Sequence, residues 1–213
     1  MNQNTFNQIK QRLSLRLPLA EALETTAIIA DHIPLHKSKR NTTPQEDLET
    51  IRELYPSCTN FQRAFPSFTH NIATGVGKTR LMGAIITYLY LAKGIKNFFI
   101  LAPNLTIYDK LIKDFGDPAY EKYVFNGISE FVHNRPVIIT GDNYAQQGAL
   151  YSDTEIRINI FNISKFNSDN KGTKSGGVVL APKMKRLSEY LGESYWQYLS
   201  SLDDLVVLMD EAH

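Results

Sequence analysis

The stretch Ala73-Thr74-Gly75-Val76-Gly77-Lys78-Thr79 decides how the rest of the chain is read. Two glycines one residue apart let backbone N–H groups turn toward a common anion. Leu81, Ile85, Leu89 and Ala92 then recur at helical spacing, and Gly94 closes the run. The loop therefore opens a helix, and the positive end of a helix favours the same anion. Lys78 adds a full charge for β/γ-phosphates, and Thr79 adds a hydroxyl for Mg2+. Residues 68–72 read as a short strand, completing the strand–loop–helix order of a phosphate-binding loop. Thr74, Gly75, Val76, Gly77, Lys78, Thr79 and Arg80 are the candidate phosphate contacts. One position departs from the strict spacing: Ile72 stands where a glycine is expected. An ordinary glycine turn before a helix is the rival reading.

Downstream, Phe98-Phe99-Ile100-Leu101-Ala102 is a continuous apolar run of the kind buried on both faces. Pro103-Asn104 turns the chain into a helix near 105–115. Residues 137–140 and 156–163 read as further strands, residues 183–200 as a helix, and 205–209 as a last buried strand. Tyr190, Tyr195, Trp196 and Tyr198 read as helix packing rather than base stacking. Residues 165–177 are polar and glycine-containing, a loop. Apolar strands alternating with helices predict an α/β fold with a parallel sheet.

Upstream, residues 1–17 are rich in Asn and Gln and end in an extended Leu13-Ser14-Leu15-Arg16-Leu17. Pro18 starts a helix over 18–31. Residues 36–40 form a small basic loop. Thr43-Pro44-Gln45-Glu46 spells a capping box before a helix at 44–54 carrying Leu48, Ile51 and Leu54 on one face. The division expected is a helical extension, 1–54, and an α/β lobe carrying the phosphate loop, 55–213.

Composition bounds the rest. The 213 residues are 43% hydrophobic and 21% charged, enough to bury a core. Lys and Arg number 23 against 22 for Asp and Glu, which excludes a strongly basic or acidic arm but not a local patch. A single cysteine, Cys58, excludes an internal disulfide and a cysteine-based zinc cage, and reads as a reduced, partly buried thiol. The longest uncharged apolar run, residues 81–92, is shorter than the roughly 20 residues of a membrane span. The location expected is cytoplasmic.

The chain's last residues are Val206-Val207-Leu208-Met209-Asp210-Glu211-Ala212-His213. An apolar strand delivers two adjacent carboxylates to the sheet edge where ligands bind in open α/β folds. Asp210 suits Mg2+, and Glu211 suits the proton of an attacking water. The pair ATGVGKT and DEAH resembles the signature of superfamily 2 helicases and translocases. Residues 71–82 are similar to the first motif of the Res subunit of type III restriction enzymes. Residues 99–104, Thr140-Gly141-Asp142 and residues 161–167 resemble its intervening segments.

The resemblance, which covers residues 54–213, implies an incomplete RecA-like P-loop NTPase domain with a parallel sheet, preceded by a small helical N-terminal extension. It implies an ATP hydrolase that uses ATP and Mg2+, couples hydrolysis to movement on double-stranded DNA or to a conformational switch, and works with a modification (methyltransferase) subunit. In it Lys78, Asp210 and Glu211 are catalytic, Thr79 and Asp210 hold Mg2+, and His213 couples nucleotide state to the strand-engaging half. Pro103, Asn104, Thr140 and Gly141 lie on the nucleic-acid path. Gln62 is the nearest candidate for a glutamine that reads adenine. Asp169-Asn170-Lys171 is the one acid-x-lysine tripeptide of nuclease type; it reads as loop, so no nuclease is expected. The chain stops on the DEAH box, which predicts a fragment lacking a second motor lobe and unable to fold stably alone. Another superfamily 2 DNA helicase, for instance in repair, and an inactive nucleotide-binding stub are the rival functions.

Overall fold

The structure is a computed structural model, and residues 1–144, 155–162 and 194–210 are described. Contacts gather the chain into two compact units. One holds Met1–Ile95 with Val124–Ile128; the other holds Lys96–Tyr123 with Ser129–His213. The expected extension, 1–54, lies in the first unit together with the phosphate loop.

The first unit is helical. It contains α1 (Gln3–Arg12), α2 (Leu17–His32), a 3-10 turn (Lys37–Lys39), α3 (Pro44–Leu54) and α4 (Lys78–Lys93). Helix α1 forms where no element was expected, and the extended stretch expected at 13–17 is instead a turn at Leu13 and Ser14 leading into α2, which begins at Leu17. Asn2 caps it through the Thr5 N–H, and Phe6 and Ile9 are buried along one face. The Asn and Gln residues between them mask that helical spacing. Leu13 closes α1, and only Ser14 turns left-handed before α2. Pro18 sits in the first turn of α2, and α3 carries both bonds of the expected capping box, Thr43 with Glu46. Arg40, expected in a basic loop, pairs with buried Asp47 at 2.7 Å. Ile29, Ile33, Leu48, Ile51 and Phe61 form one apolar cluster, with half-buried Cys58 against it.

Helix α4 is buried at nine consecutive positions, Leu81 to Leu89, so it is a core helix rather than an amphipathic surface one. It packs on α2 and α1. Gly83 lets the 124–128 segment approach α4: a Cβ there would stand 2.8 Å from the Val124 Cβ. The strand expected at 68–72 is absent. Every described strand belongs to the second unit, so this segment has no ladder to join; Phe68 is exposed, and His70 turns to a side-chain partner on α2.

The second unit carries β1 (Asn97–Ala102), α5 (Leu105–Gly116), α6 (Glu130–His133), β2 (Val137–Thr140), β3 (Arg157–Asn162), α7 (Tyr195–Ser201) and β4 (Leu205–Met209). Its strands form an all-parallel sheet in the order β2-β3-β1-β4. Helix α5 covers the Ile138 face, where Gly116 lies against Ile138. Helix α7 covers the other face, where Tyr195 and Leu199 meet Phe99, Ile139 and Phe161. Tyr195 and Tyr198 thus pack as expected, while Trp196 is exposed. Strand β3 is buried throughout. Strand β4 corrects the expectation of a buried strand. It is the sheet's end strand among the described residues, and Val207 and Met209 are about half exposed.

At the N-terminal edge of the sheet, Asp204 accepts from the Lys96 N–H at 2.6 Å and from the Asn97 side-chain amide, tying the start of β4 to β1. The expected loop at 165–177, most of the helix at 183–200, and Asp169-Asn170-Lys171 lie outside the described residues. Among the described residues no helix is long and apolar enough to cross a membrane.

Candidate functional site

The phosphate loop has the backbone its glycines predict. Gly75 and Gly77 are both left-handed, at φ 80° and 114°. Gly77 is the N-cap of α4, and no side chain caps that helix. An uncapped helix start behind two left-handed glycines is the arrangement an incoming anion completes. A Cβ at Gly75 would meet nothing within 4 Å, so the cradle is open. Lys78 and Thr79 open the helix, both half-buried. A polyphosphate and a hard cation fit this donor set: backbone N–H groups and an ammonium for the phosphate, a hydroxyl for the metal. Arg80 points elsewhere: its guanidinium donates to the Leu13 carbonyl at 3.4 Å, where α1 ends.

Two features outside the loop position it. Leu19 of α2 approaches Gly77, its Cδ1 3.3 Å from where a Cβ would be. His70, just upstream, meets Thr26 of α2, Nε2 to Oγ1 at 2.9 Å. The Thr26 hydroxyl donates to the Ala22 carbonyl, so its oxygen accepts and His70 Nε2 carries the proton. Burial holds the His70 imidazole below its ordinary pKa, keeping it neutral. The sequence carries no local signal for either contact. Gln62 is exposed and left-handed at φ 54°.

The other expected residues lie in the second unit. All its strands are parallel, so their C-terminal ends share one sheet edge. Pro103 and Asn104 follow β1, Thr140 ends β2 with Gly141 next, and Asp210 follows β4. The Asp210 N–H reaches the Leu101 carbonyl at 3.4 Å, bringing Asp210 to the end of β1. Asn104 also has a structural task, capping α5 through the Ile107 N–H at 2.9 Å. The turn after β2 is tightly bonded: the Thr140 N–H donates to Asn143 Oδ1, the Asp142 N–H donates to Thr140 Oγ1, and the Tyr108 hydroxyl donates to Asp142. Glu211 and His213 lie outside the described residues.

Comparison with known proteins narrows the reading. Residues 40–213 match the family described as type III restriction enzyme, res subunit. A 55-residue stretch is 42% identical to the probable type III restriction-modification enzyme HindVIP Res subunit of Haemophilus influenzae. That stretch is 26% of this chain and 10% of the relative, so the match spans about a tenth of the relative's length. No solved structure matches. With most of the chain inside the family match, its α/β fold and its glycine-built loop agree with one conclusion: the chain belongs to the res-subunit family of type III restriction enzymes, a P-loop family of helicase-type ATPases.

Proposed function

We propose that this chain is the ATP-binding part of a DNA translocase or helicase subunit of a type III restriction enzyme. The observation that carries the reading is the open cradle of left-handed Gly75 and Gly77 at the uncapped start of α4. Backbone N–H groups there bind the phosphates, and the Lys78 ammonium neutralises the charge that builds on them. Thr79 and Asp210 are the residues that would hold Mg2+, which would supply charge neutralisation for the phosphates when bound. Glu211 accepts the proton of the attacking water. Pro103, Asn104, Thr140 and Gly141 lie along a sheet edge suited to a sugar–phosphate backbone, and His213 links nucleotide state to that edge. Double-stranded DNA and a modification subunit are the partners, and the cytoplasm is the compartment.

The test is steady-state ATP hydrolysis by the full-length protein with its modification subunit, with and without double-stranded DNA. DNA should stimulate turnover. Glu211→Gln should lower turnover by about 10²–10⁴-fold with little change in ATP affinity. A Lys78→Ala variant that binds ATP as tightly as the parent would overturn the reading. DNA-stimulated hydrolysis without movement along DNA in a strand-displacement or tracking assay would leave an ATPase and remove the motor.

A further inference from the structure

The turn that joins α1 to α2 gathers cations without counter-charges. Lys10, Arg12 and Arg16 flank it, and all three are exposed. Exposed Arg80 of α4 brings its guanidinium to the same turn, where it donates to the Leu13 carbonyl at 3.4 Å. Among the described residues, none of the four meets a carboxylate. The elements packed around the turn offer none, because α1, α4 and residues 124–128 contain no Asp or Glu. Asp31 of α2 is engaged by the Met1 ammonium and Lys93, and the first acid in the sequence is Glu21. With 23 Lys and Arg against 22 Asp and Glu in the whole chain, this is a local excess.

Helix electrostatics account for two of these charges and not for the others. Lys10 and Arg12 lie in the last turn of α1, where the carbonyl end of a helix favours cations. Arg16 and Arg80 stand at the opposite kind of end. Arg16 is the N-cap of α2, Arg80 lies in the first turn of α4, and neither helix has an acid in its first turn. The helix dipole disfavours a cation at such a place. Arg16 has the extended backbone of a capping residue, φ −65° and ψ 155°, yet no side chain bonds the first N–H groups of α2. Neither arginine is placed to stabilise its helix, which leaves both charges for an outside partner.

The outer face of α1 has matching chemistry. Asn4, Asn7 and Gln11 are exposed at spacings of three and four residues, opposite buried Phe6 and Ile9. Amides and cations are the groups that contact phosphate and sugar oxygens. No aromatic ring is exposed on α1 or its turn, so this surface offers nothing on which an unstacked base would lie. We propose that the outer face of α1 and the turn into α2 bind the sugar–phosphate backbone of duplex DNA without reading its sequence. This is a second DNA surface, in the helical unit, beyond the sheet-edge path of the proposed function, and it rests on that reading for DNA as the polyanion. Arg80 joins the surface to the helix that the phosphate loop opens.

The experiment is fluorescence-anisotropy binding of the full-length protein, without nucleotide, to two labelled short duplexes of unrelated sequence over a range of KCl. The triple variant Lys10→Gln, Arg12→Gln, Arg16→Gln should flatten the slope of log Kobs against log salt by about 3, one for each lost phosphate contact. The change should be the same on both duplexes. Mg-ATP affinity should stay that of the parent, because none of the three residues belongs to the phosphate loop. Arg16→Asp separates binding from folding: an aspartate N-cap should raise the urea midpoint while DNA affinity falls. A fall in both would mean that Arg16 serves the fold, and would overturn the proposal. A parent-like salt slope in the triple variant would overturn it and leave the nucleotide reading and the sheet-edge path standing. So would a change confined to one duplex, or an unchanged slope with loss of the modification subunit, which would make the patch a protein-docking surface. If the parent itself binds neither duplex, the DNA part of the proposed function falls as well.

Discussion

Thr26 Oγ1 and His70 Nε2 lie 2.9 Å apart although 44 residues separate them in the chain. The bond joins the middle of α2 to the segment that enters the phosphate loop, and Leu19 against Gly77 joins the start of α2 to the loop's end. Helix α2 thus spans the lead-in and the loop, and the geometry of the anion cradle depends on a helix far upstream in sequence.

The first prediction concerns pH. His70 has its pKa lowered by burial, so the unfolded chain takes up a proton at higher pH than the folded one. Stability from this residue is present above the ordinary histidine value of about 6.5 and is lost as pH falls through that value toward the lowered folded pKa. Urea unfolding of the full chain at pH 7.5 and pH 5.5 should show lower stability at the acid end. His70→Gln should reduce the pH 7.5-to-5.5 difference. An identical difference in the variant would exclude His70 as the titrating group.

The two loop glycines should differ. Both Gly75 and Gly77 have positive φ, so alanine is strained at either, at roughly 1 kcal/mol. Only at Gly77 does the new methyl also press on Leu19. Gly77→Ala should therefore destabilise the chain more than Gly75→Ala, and Leu19→Ala should recover part of the difference. Thermal or urea midpoints of the three variants and the double variant check this order.

Gly83 offers a packing test. A Cβ there would lie 2.8 Å from the Val124 Cβ, closer than real Cβ atoms approach. Gly83→Ala should destabilise by about 1–3 kcal/mol through overpacking. Adding Val124→Ala should restore a measurable part of it. Additive losses in the double variant would show that the two residues do not meet.

A buried polar pair in the sheet unit gives the fourth. The Tyr195 hydroxyl donates to Asn159 Oδ1, and the Asn159 amide donates to the Phe98 carbonyl at 2.9 Å. Tyr195→Phe keeps the ring but leaves the Asn159 oxygen buried without that donor, at a cost of about 1–3 kcal/mol. Denaturant unfolding measures the loss. The double variant Tyr195→Phe, Asn159→Val should lose less than the sum of the two single changes.

Several elements are legible in the amino-acid sequence because their determinants are local. Thr43 and Glu46 form their reciprocal caps within four residues, and Gly94 ends α4 in the left-handed conformation its position predicts. The apolar runs at β1 and β2 fall on the expected residues, and the strand expected at 156–163 forms over Arg157–Asn162. The phosphate loop is equally readable, since glycine freedom and a following helix are properties of one short segment. Other elements carry no such signal. Helix α1 hides two buried apolar residues among Asn and Gln. Residues 68–72 have strand-like composition, but a strand exists only where a neighbour offers a ladder. The apolar sequence of β4 does not say whether it lies in the middle or at the end of the sheet, and position alone leaves Val207 and Met209 exposed.

The amino-acid sequence by itself determined the left-handed glycine loop that opens α4, the helices that carry their own caps, and a parallel α/β sheet, because glycine conformation, capping and hydrophobic periodicity act over a few residues. Tertiary structure alone decided that α2 stands against that loop. It also decided that His70 is neutral and bonded to Thr26. Those features arise from burial and from contacts between residues some fifty positions apart, and neither is written in any one segment of the chain.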